Sequence, residues 1–477
     1  MTIADPVVQQ FAEHLNELYD DPYVEPDNLL INELEDKIRY ENLVQHDSSI
    51  LVQLAPTLLR IINSNNTTGI TKNYAIKFLD ILLPHYSFNQ ILSVFSEDLL
   101  VKAFQGNDNL KRVIAKTLIK ADPAKVSHGP LFLCLFKTFA NPSTELSTIN
   151  EVQKAIVALT LESDEIRQMY LNNTEIVQIL EEMKHNKVVQ SRVIDLVCDI
   201  LIVIPQLPTS IYLVGEEELA RSNDLLFYRF CVGTWRTLLH LIHQDDSLRF
   251  LKEKLRPQID FGSRRFVGAQ TLLDDKDIFV DYDDFGIVYF LVTLSFVFPD
   301  FFKEFDERYH LVDYAVETYR HYLKSVNFLA SLNTIFLRNN EGLYRNFKLC
   351  NNSVKLFCHL LNDKIILEQK LTLHEFPPSI FDKLVFDDLF TIFGTLCDSE
   401  WKIEKMVNDW SNIIEKVIDV DIVNDVNINS HHLESFLKAI AKSGIPLGRL
   451  EYPIDEKLEK LKKQTGVSVE EPLTELM

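Results

Sequence analysis

The sequence has little glycine and proline. It contains 13 glycines and 17 prolines among 477 residues, roughly half the share found in average proteins. Folds built from many short strands need many turns, and turns depend on these two residues. A turn-rich all-β fold is therefore excluded, and long helices are expected. The content of hydrophobic residues, 46%, also excludes a chain that is disordered throughout.

Basic residues are scarce relative to acidic ones, at 48 against 70, which gives a net charge of −22. Nucleic acid and anionic membrane surfaces repel such a chain unless a basic stripe reverses the field locally. We therefore predict no nucleic-acid and no membrane partner, and a basic protein surface as the favoured one. The single concentrated basic set has few interleaved aromatics, which favours a salt-bridged surface or an acidic partner: Lys252, Lys254, Arg256, Arg264 and Arg265.

The sequence also lacks the marks of an exported or membrane protein. Its start, MTIADPVVQQF, has neither a basic nor an apolar signal region, and its longest apolar run, Ile287 to Phe298, is a buried-helix candidate too short to cross a bilayer. A cytoplasmic location is expected, and a nuclear one stays open. The six cysteines form no CxxC pair and are interpreted as reduced core residues: Cys134, Cys198, Cys231, Cys350, Cys358 and Cys397.

Apolar residues recur with helical spacing along most of the chain. One stripe occupies positions i, i+3, i+4, i+7 and i+8, at Ala75, Phe78, Leu79, Leu82 and Leu83. Sustained alternation with a period of two is absent, and the best strand candidate, residues 211–214, is short. The pattern predicts an all-α fold. Thr148 and Glu151 have the spacing of a capping box, which predicts the start of a helix at this point.

A recurring unit gives the more specific prediction. A basic residue before two aliphatic ones opens an amphipathic helix at Arg112, Lys154, Arg192 and Arg236, at intervals of 42, 38 and 44 residues. Two helices for every ~40 residues are typical of HEAT or armadillo repeats, and the chain would hold about eleven. We predict a single C-shaped HEAT-like solenoid over residues 1–463 and a flexible tail over 464–477. The segments 204–224 and 256–284 interrupt the rhythm and are predicted to be long loops.

No motif for catalysis or for metal binding is complete. GxGxxG, GxxxxGK[ST], GxSxG and HExxH are absent. An aspartate cluster fails the EF-hand pattern, with valine where the loop needs glutamate, and is interpreted as a solvated acidic loop: Asp274, Asp275, Asp277, Asp281, Asp283 and Asp284. Cys350, Cys358 and His359 lack metal spacing and fit a helix core. We expect no enzyme, no cofactor and no metal.

Six residues are candidates for contact with a partner protein. Asp195 and Asp199 lie one helical turn apart on an otherwise aliphatic helix, where their mutual repulsion suggests that they face solvent and meet cationic side chains; an ordinary solvated face is the alternative. Tyr228 and Trp235 share a helix face and would anchor a partner if that face were exposed, with core packing as the alternative. Asp245 and Asp246, just after that helix, complete the set.

Four segments carry a recognisable pattern, in order along the chain: 73–121, 156–180, 322–347 and 395–418. The pattern is strongest where Ser-Glu-Asp-Leu-Leu begins at Ser96, and where Ser163 to Arg167 leads to Asn172 and Asn173. Together the segments resemble a family of HEAT-repeat chaperones, known from budding yeast, that assemble the base of the proteasome regulatory particle; the family is also associated with DNA mismatch repair. These are framework residues, so no interface residue is carried over.

The resemblance implies a non-enzymatic function. Members of the family clamp the carboxyl-terminal helical domain of one AAA ATPase subunit of the base on their concave face, in a module with a second ATPase and a large scaffold subunit. Occupation of that domain would hinder premature docking on the core particle. Residues 256–284 do not align with the family, which leaves contacts there open.

Repeat architecture alone is equally compatible with other functions. A different HEAT-type adaptor, such as a transport receptor or a phosphatase scaffold, would use the same fold. An enzyme with an unrecognised site would need convergent titratable groups in a pocket, and no residue spacing in the sequence demands one. A direct role on DNA conflicts with the net charge.

Overall fold

The computed structural model describes residues 5–40, 49–222, 224–268, 284–419 and 430–465. Within these ranges the regular secondary structure is helical, and no strand occurs, which confirms the predicted all-α fold. The predicted strand near residue 211 is the 3-10 turn Thr209–Ile211 followed by a loop.

The α-helices are numbered here in chain order. They are α1 Pro6–Asp20, α2 Asn28–Tyr40, α3 Ser49–Asn63, α4 Gly69–Leu82, α5 Phe88–Val94, α6 Glu97–Ala103, α7 Asp108–Leu118, α8 Pro123–Ser127, α9 Leu131–Ala140, α10 Leu146–Glu162, α11 Asp164–Asn172, α12 Thr174–His185, α13 Gln190–Ile200, α14 Glu216–Ser222, α15 Leu225–Gln244, α16 Phe250–Lys254, α17 Arg256–Val267, α18 Ile287–Val297, α19 Pro299–Tyr309, α20 Leu311–Thr318, α21 Leu323–Leu329, α22 Glu341–Asn346, α23 Val354–Leu361, α24 Lys364–Gln369, α25 Phe386–Leu396, α26 Glu400–Asp409, α27 Ser411–Asp419, α28 Ser430–Lys442 and α29 Glu451–Thr465. Short 3-10 helices connect some of them, at Leu83–His85, Thr209–Ile211, Asp246–Leu248, Asp284–Gly286, Thr334–Phe336, Asn351–Ser353, Pro378–Phe381 and Gly448–Leu450.

Local sequence accounts for where many helices begin. Ser96 caps α6 by accepting a hydrogen bond from the Leu99 amide, and Glu97 and Asp98 follow in the first turn. Asn107 caps α7 in the same way through the Leu110 amide, at 2.9 Å. A side-chain oxygen at this position satisfies an amide that has no partner within the helix, and acidic residues in the first turn complement the helix dipole.

The chain divides into two compact units. The first contains residues up to Val214 together with Gln244–Lys254, and the second contains Gly215–His243 and the residues from Leu255 onward. The prediction of one uninterrupted solenoid over residues 1–463 stays a prediction, as do the C shape and the repeat count.

In the first unit the helices form two rows. The second helices of successive pairs pack side by side, α4 on α7, α7 on α10 and α10 on α13. The first helices form a parallel series of contacts, α6 on α9 and α9 on α12, while α6, α9 and α12 also pack against the second helix of their own pair. We call α4, α7, α10 and α13 the second-helix row.

Hydrogen bonds between neighbouring pairs recur at a nearly constant sequence separation. Lys116 on α7 binds Asp80 on α4 at 2.7 Å, and Lys120 binds the Pro84 carbonyl at 3.1 Å, both over 36 residues. In the next step Thr148 on α10 donates to the Asp108 carbonyl on α7 at 2.9 Å, over 40 residues. This regular offset is the structural signature of a repeat stack, as the HEAT-like interpretation requires.

The second unit has the same kind of stacking. Three hydrogen bonds join residues 34 apart: Trp410 Nε1 to the Phe376 carbonyl at 2.9 Å, Asn412 to the Pro378 carbonyl at 2.9 Å, and Lys416 to Asp382 at 2.6 Å. Helices α18, α21, α23, α25, α27 and α29 make a continuous series of contacts.

Two features of the predicted repeat motif are wrong. The basic residues at 112, 154 and 236 lie inside α7, α10 and α15, and only Arg192 stands near a helix start. Thr148 and Glu151 do not cap α10, because that helix begins at Leu146 with Glu145 as its cap. The Thr148 hydroxyl is fully buried and serves the neighbouring pair instead.

Both predicted loops contain helices. The segment 204–224 includes α14, and the described part of 256–284 is largely α17. The loop prediction for 256–284 depended on its proline and glycine residues. Pro257, however, lies in the first turn of α17, where proline is tolerated. Gly262 lies inside the same helix, with Ile287 and Phe290 of α18 3.4 Å from where a Cβ would be. Residues 269–283, with most of the aspartate cluster, lie outside the described residues.

The apolar run from Ile287 forms α18, whose Phe290, Leu291 and Leu294 are fully buried, as predicted for a core helix. No helix in the described ranges has the length and apolar character that a bilayer crossing requires. The predicted tail starts too early, since Gln464 and Thr465 still belong to α29; residues 466–477 lie outside the described part.

An aromatic cluster holds α9 and α11 together. Phe132, Phe136 and Tyr170 are fully buried with ring centroids 5.2 to 6.0 Å apart, and the Tyr170 hydroxyl lies 2.8 Å from the Thr160 hydroxyl. Substitution Phe136→Ala should lower the free energy of unfolding by about 3–5 kcal/mol, because it removes a ring and leaves a cavity.

Urea denaturation followed by far-ultraviolet circular dichroism would measure this loss of stability. Leu146→Ala is the matched control, because Leu146 is 73% exposed and its removal should change stability by less than about 0.5 kcal/mol. An equal loss in the two variants would contradict the packing described here.

Candidate partner-binding surface

A groove runs across the second-helix row of the first unit. It has a volume of about 870 Å³ and is lined by α7, α10 and α13. We call it the second-helix groove. Each helix turns an apolar face toward the core, as Val113 and Ile114 do on α7, and leaves its polar residues on the groove side. The residues that line the groove are Arg112, Lys116, Ser147, Asn150, Glu151, Gln153, Lys154, Val157, Ala158, Leu161, Asp195 and Asp199.

Asp195 and Asp199 lie exposed in this groove, on the outward face of α13. The amide nitrogen of Gln153 on α10 donates to both, at 2.8 Å to Asp195 and 3.0 Å to Asp199. Partial burial, together with the charge of Asp195, raises the pKa of the Asp199 carboxyl, although the Gln153 hydrogen bond acts in the opposite direction. One neutral amide holds the pair, and no cation pairs with either carboxylate among the described residues.

The opposite side of the groove carries an unpaired cation. Arg112 on α7 makes no ion pair with any described residue, and its buried Nε has no hydrogen-bond partner. The two lysines nearby are already paired, Lys116 with Asp80 at 2.7 Å and Lys154 with Glu151 at 2.8 Å. The groove therefore has free positive charge at α7 and free negative charge at α13.

Between these two charges the groove is apolar. Val157 and Ala158 on α10 are half-buried, and Leu161 is exposed. An apolar strip flanked by separated charges of opposite sign suits a protein surface that offers the complementary pattern. The groove holds no set of titratable groups arranged as nucleophile and base.

The described residues contain no cluster of three or more histidines, cysteines or carboxylates that could hold a metal ion. His359 and Cys358 are half-buried on α23, and the His359 ring lies 2.7 Å from the Leu332 carbonyl. Burial lowers the pKa of His359 and raises that of Cys358. Core packing of these two residues agrees with the sequence interpretation, whereas Cys350 lies exposed before α23 and is not a core residue.

The region that contains the groove is similar to a known protein family. The family model for the amino-terminal domain of the DNA mismatch repair protein HSM3 matches residues 12–232. Over these residues, slightly less than half of the chain, the sequence is similar to the HSM3 family. All twelve residues of the groove fall within the matched range.

A curated relative shows the same similarity. The DNA mismatch repair protein HSM3 of Kluyveromyces lactis is 20% identical over 251 residues, which cover 51% of this chain and 53% of that protein. The alignment thus spans about half of the curated relative's length.

Solved structures support the fold of the chain. Yeast importin-β (Kap95p) superposes with a TM-score of 0.57 at 13% identity, over 99% of this chain and 62% of that one. The Kap95:Nup1 complex gives a TM-score of 0.54 at 12% identity, with 100% and 64% covered. The chain thus spans about three fifths of these proteins, and at such low identity the likeness shows only a HEAT-like solenoid fold.

Tyr228 and Trp235 do not lie at a surface. They are 3% and 1% exposed. Tyr228 lies against Phe261 and Phe285, while Trp235 packs on Phe261 and on Phe290, whose ring centroid is 5.7 Å away. The shared helix face was identified from the sequence, but it faces α17 and α18, so a role as exposed anchors is wrong and the core alternative holds.

Asp245 and Asp246 lie at the end of α15, on a different element from the second-helix groove. Asp245 caps a short 3-10 turn through the Ser247 amide at 2.8 Å, and its pKa is lowered by hydrogen bonds from the Ser247 side chain and amide. Asp246 pairs with Arg249 at 2.8 Å. Their part in partner binding stays a prediction.

The basic set predicted from sequence is partly salt-bridged. Arg256 binds Glu304 at 2.9 Å, and Arg264 binds Glu216 at 2.8 Å and Asp260 at 3.1 Å. These pairs agree with the interpretation of a salt-bridged surface.

Sequence reasoning missed Arg112 and Gln153 as groove residues. Arg112 was noted only as a repeat marker, although its position at the head of the recurring unit could have placed it on the second-helix row. No sequence pattern indicates Gln153, because its role depends on Asp195 and Asp199, which are 42 and 46 residues away.

Asp199→Asn should raise the free energy of unfolding at pH 7 by a few tenths of a kcal/mol, since it removes a like-charge pair one helical turn apart. The pKa of Asp199 is raised in the folded state, so the folded protein holds this proton more tightly than the unfolded chain does. Ionisation of the carboxyl therefore destabilises the fold as the pH rises from the unfolded pKa to the folded pKa. The gain should therefore shrink as the pH is lowered toward 4.

Urea denaturation at pH 7 and at lower pH would measure the gain. Gln153→Ala is the paired variant, because it removes the amide that holds both carboxylates and should lower stability. A gain for Asp199→Asn that grows on acidification would contradict this account.

Proposed function

We propose that this chain is a non-enzymatic chaperone for assembly of the base of the proteasome regulatory particle. The observation that carries the proposal is the second-helix groove, with its unpaired Arg112, its unpaired Asp195 and Asp199, and apolar residues between them. Its position within the HSM3-family region supports the link to the chaperones that the sequence resembles.

In this proposal the groove binds the carboxyl-terminal helical domain of one base AAA ATPase subunit. Neighbouring helices lie about 8–10 Å apart, so α7 and α13 are separated by two such steps, or roughly 16–20 Å. A partner helix of about 11–13 residues covers that span. It would place an acidic side chain over Arg112, apolar side chains over Val157 and Leu161, and basic side chains over Asp195 and Asp199.

The consequence for assembly is steric. A bound ATPase domain is covered by a repeat stack, so it is hindered from docking on the core particle until the chaperone leaves. A second ATPase and the large scaffold subunit would be carried in the same module. The chain acts by occupying a surface, which requires no catalytic group.

Other adaptor functions receive less support. The likeness to yeast importin-β is a likeness of fold at 12–13% identity, so it does not favour a transport receptor. The curated relative is named for DNA mismatch repair, but a net charge of −22 opposes direct contact with a duplex. We propose that any effect on repair is indirect, through proteasome supply.

The double charge reversal Asp195→Lys with Asp199→Lys should weaken binding of the cognate ATPase carboxyl-terminal domain by about tenfold or more, because it places like charges against the basic end of the partner. Arg112→Glu should weaken the same complex through its acidic end. The melting temperature of the double aspartate variant should change by less than about 2 °C, since both side chains are exposed.

Pull-downs with each purified base ATPase carboxyl-terminal domain, followed by calorimetry on the one that binds, would measure this. Glu181→Lys with Glu182→Lys on α12 is the matched control, with the same change of charge in the same unit but on the first-helix row. If no ATPase domain binds the wild-type chain, the proposed function is wrong. If one binds and the control weakens it as much as the groove variants do, the groove is not the site.

A further inference from the structure

A second cavity in the first unit lies between α3, α4, α6 and α7, with a volume of about 520 Å³. We call it the inter-pair cavity. Eleven of its sixteen lining residues are aliphatic or aromatic. Buried side chains such as Ile76, Leu100 and Ile114 form part of the lining, while Leu59 and Leu99 are half-buried. Apolar surface therefore remains uncovered where two helix pairs meet.

Two lysines line the same cavity without a counter-charge. Lys72 on α4 and Lys102 on α6 have no ion pair and no hydrogen bond to any described residue, and Lys72 is half-buried. Lys111 and Lys116 on the neighbouring helix α7 are paired, with Asp108 and with Asp80. Lys102 is exposed. Two lysines without a counter-charge beside an apolar cavity suit an anionic ligand.

We propose that the inter-pair cavity binds a single alkyl chain with an anionic head group, of which a fatty-acid carboxylate is the ligand chosen here. The chain would occupy the apolar interior and the carboxylate would lie between Lys72 and Lys102. The cavity falls within the ~300–1,000 Å³ of typical small-molecule sites and shares their plan of an apolar lining with a few polar groups.

The lining favours an alkyl chain over a peptide. A buried peptide brings amide and carbonyl groups that each need a hydrogen-bond partner. Besides the two lysines, the polar side chains of the cavity are Asn63 and Asn107, and the Asn107 carbonyl oxygen already accepts from the Leu110 amide at 2.9 Å. An alkyl chain makes no such demand.

The proposal predicts how affinity depends on ligand length and charge. Each added CH₂ should tighten binding about fourfold until the cavity is full, the factor expected for transfer of one methylene out of water. Replacement of the carboxylate by a neutral hydroxyl should weaken binding at least tenfold, because charge-assisted hydrogen bonds to two lysines are lost.

The experiment is calorimetry on the full chain with octanoate, decanoate, dodecanoate and decanol, all below their micelle-forming concentrations. Lys72→Gln with Lys102→Gln should abolish the preference for decanoate over decanol and keep the dependence on chain length. Lys77→Gln with Lys137→Gln makes the same change of charge away from the cavity and should bind as the wild type does. Ala103→Leu should fill the cavity and prevent binding; its fold is checked by its melting temperature without ligand.

Three outcomes would overturn the proposal. The first is a dissociation constant that does not change with chain length. The second is equal affinity for decanoate and decanol in the wild type. It would count equally if Lys77→Gln with Lys137→Gln lost as much of the preference for decanoate over decanol as Lys72→Gln with Lys102→Gln does. The third is an acidic leucine-containing peptide that displaces dodecanoate and binds more tightly, since that would assign the cavity to a protein segment. None of these outcomes depends on the binding of an ATPase subunit.

Discussion

Each helix pair in this chain has apolar surface on two sides, and its own two helices can cover only part of it. The next pair covers the rest, so stability comes from interfaces between neighbours. In the first unit α7 packs on both α4 and α10, and in the second unit Trp410 reaches back 34 residues to the Phe376 carbonyl. This stacking fixes which residues face the core and which face solvent.

Stacking also creates the candidate site. When α7, α10 and α13 lie side by side, residues about 40 apart in the sequence become neighbours, and their outward side chains line a common groove. Within it some charges are matched, as in the pair of Lys116 and Asp80, while Arg112 and the two aspartates of α13 are left without a counter-charge. Unmatched charge at fixed positions favours a partner that offers the complementary pattern of charge.

The all-α fold and the repeat period could be predicted from the sequence because both are local patterns of apolar spacing. The errors arose where neighbouring pairs impose their own demands. Thr148 has the sequence context of a helix cap, but its hydroxyl donates to the Asp108 carbonyl of the preceding pair instead. Pro257 and Gly262 suggested a loop, whereas they fit the first turn and the packed side of α17.

The site was predictable only in part for the same reason. The spacing of Asp195 and Asp199 was sufficient to indicate an exposed pair, and both are exposed. Periodicity placed Tyr228 and Trp235 on one face, but only the positions of α17 and α18 decide that this face is buried. The free charge of Arg112 depends on which residues are absent from its surroundings, and no sequence pattern reports that.

Hydrogen exchange of the full chain, with and without the base ATPase carboxyl-terminal domain proposed as its partner, tests the central claim most directly. The account predicts slower exchange in α7, α10 and α13 when that domain is bound, and unchanged exchange in α8 and α11. Protection confined to other helices, with α7, α10 and α13 unaffected, would contradict it.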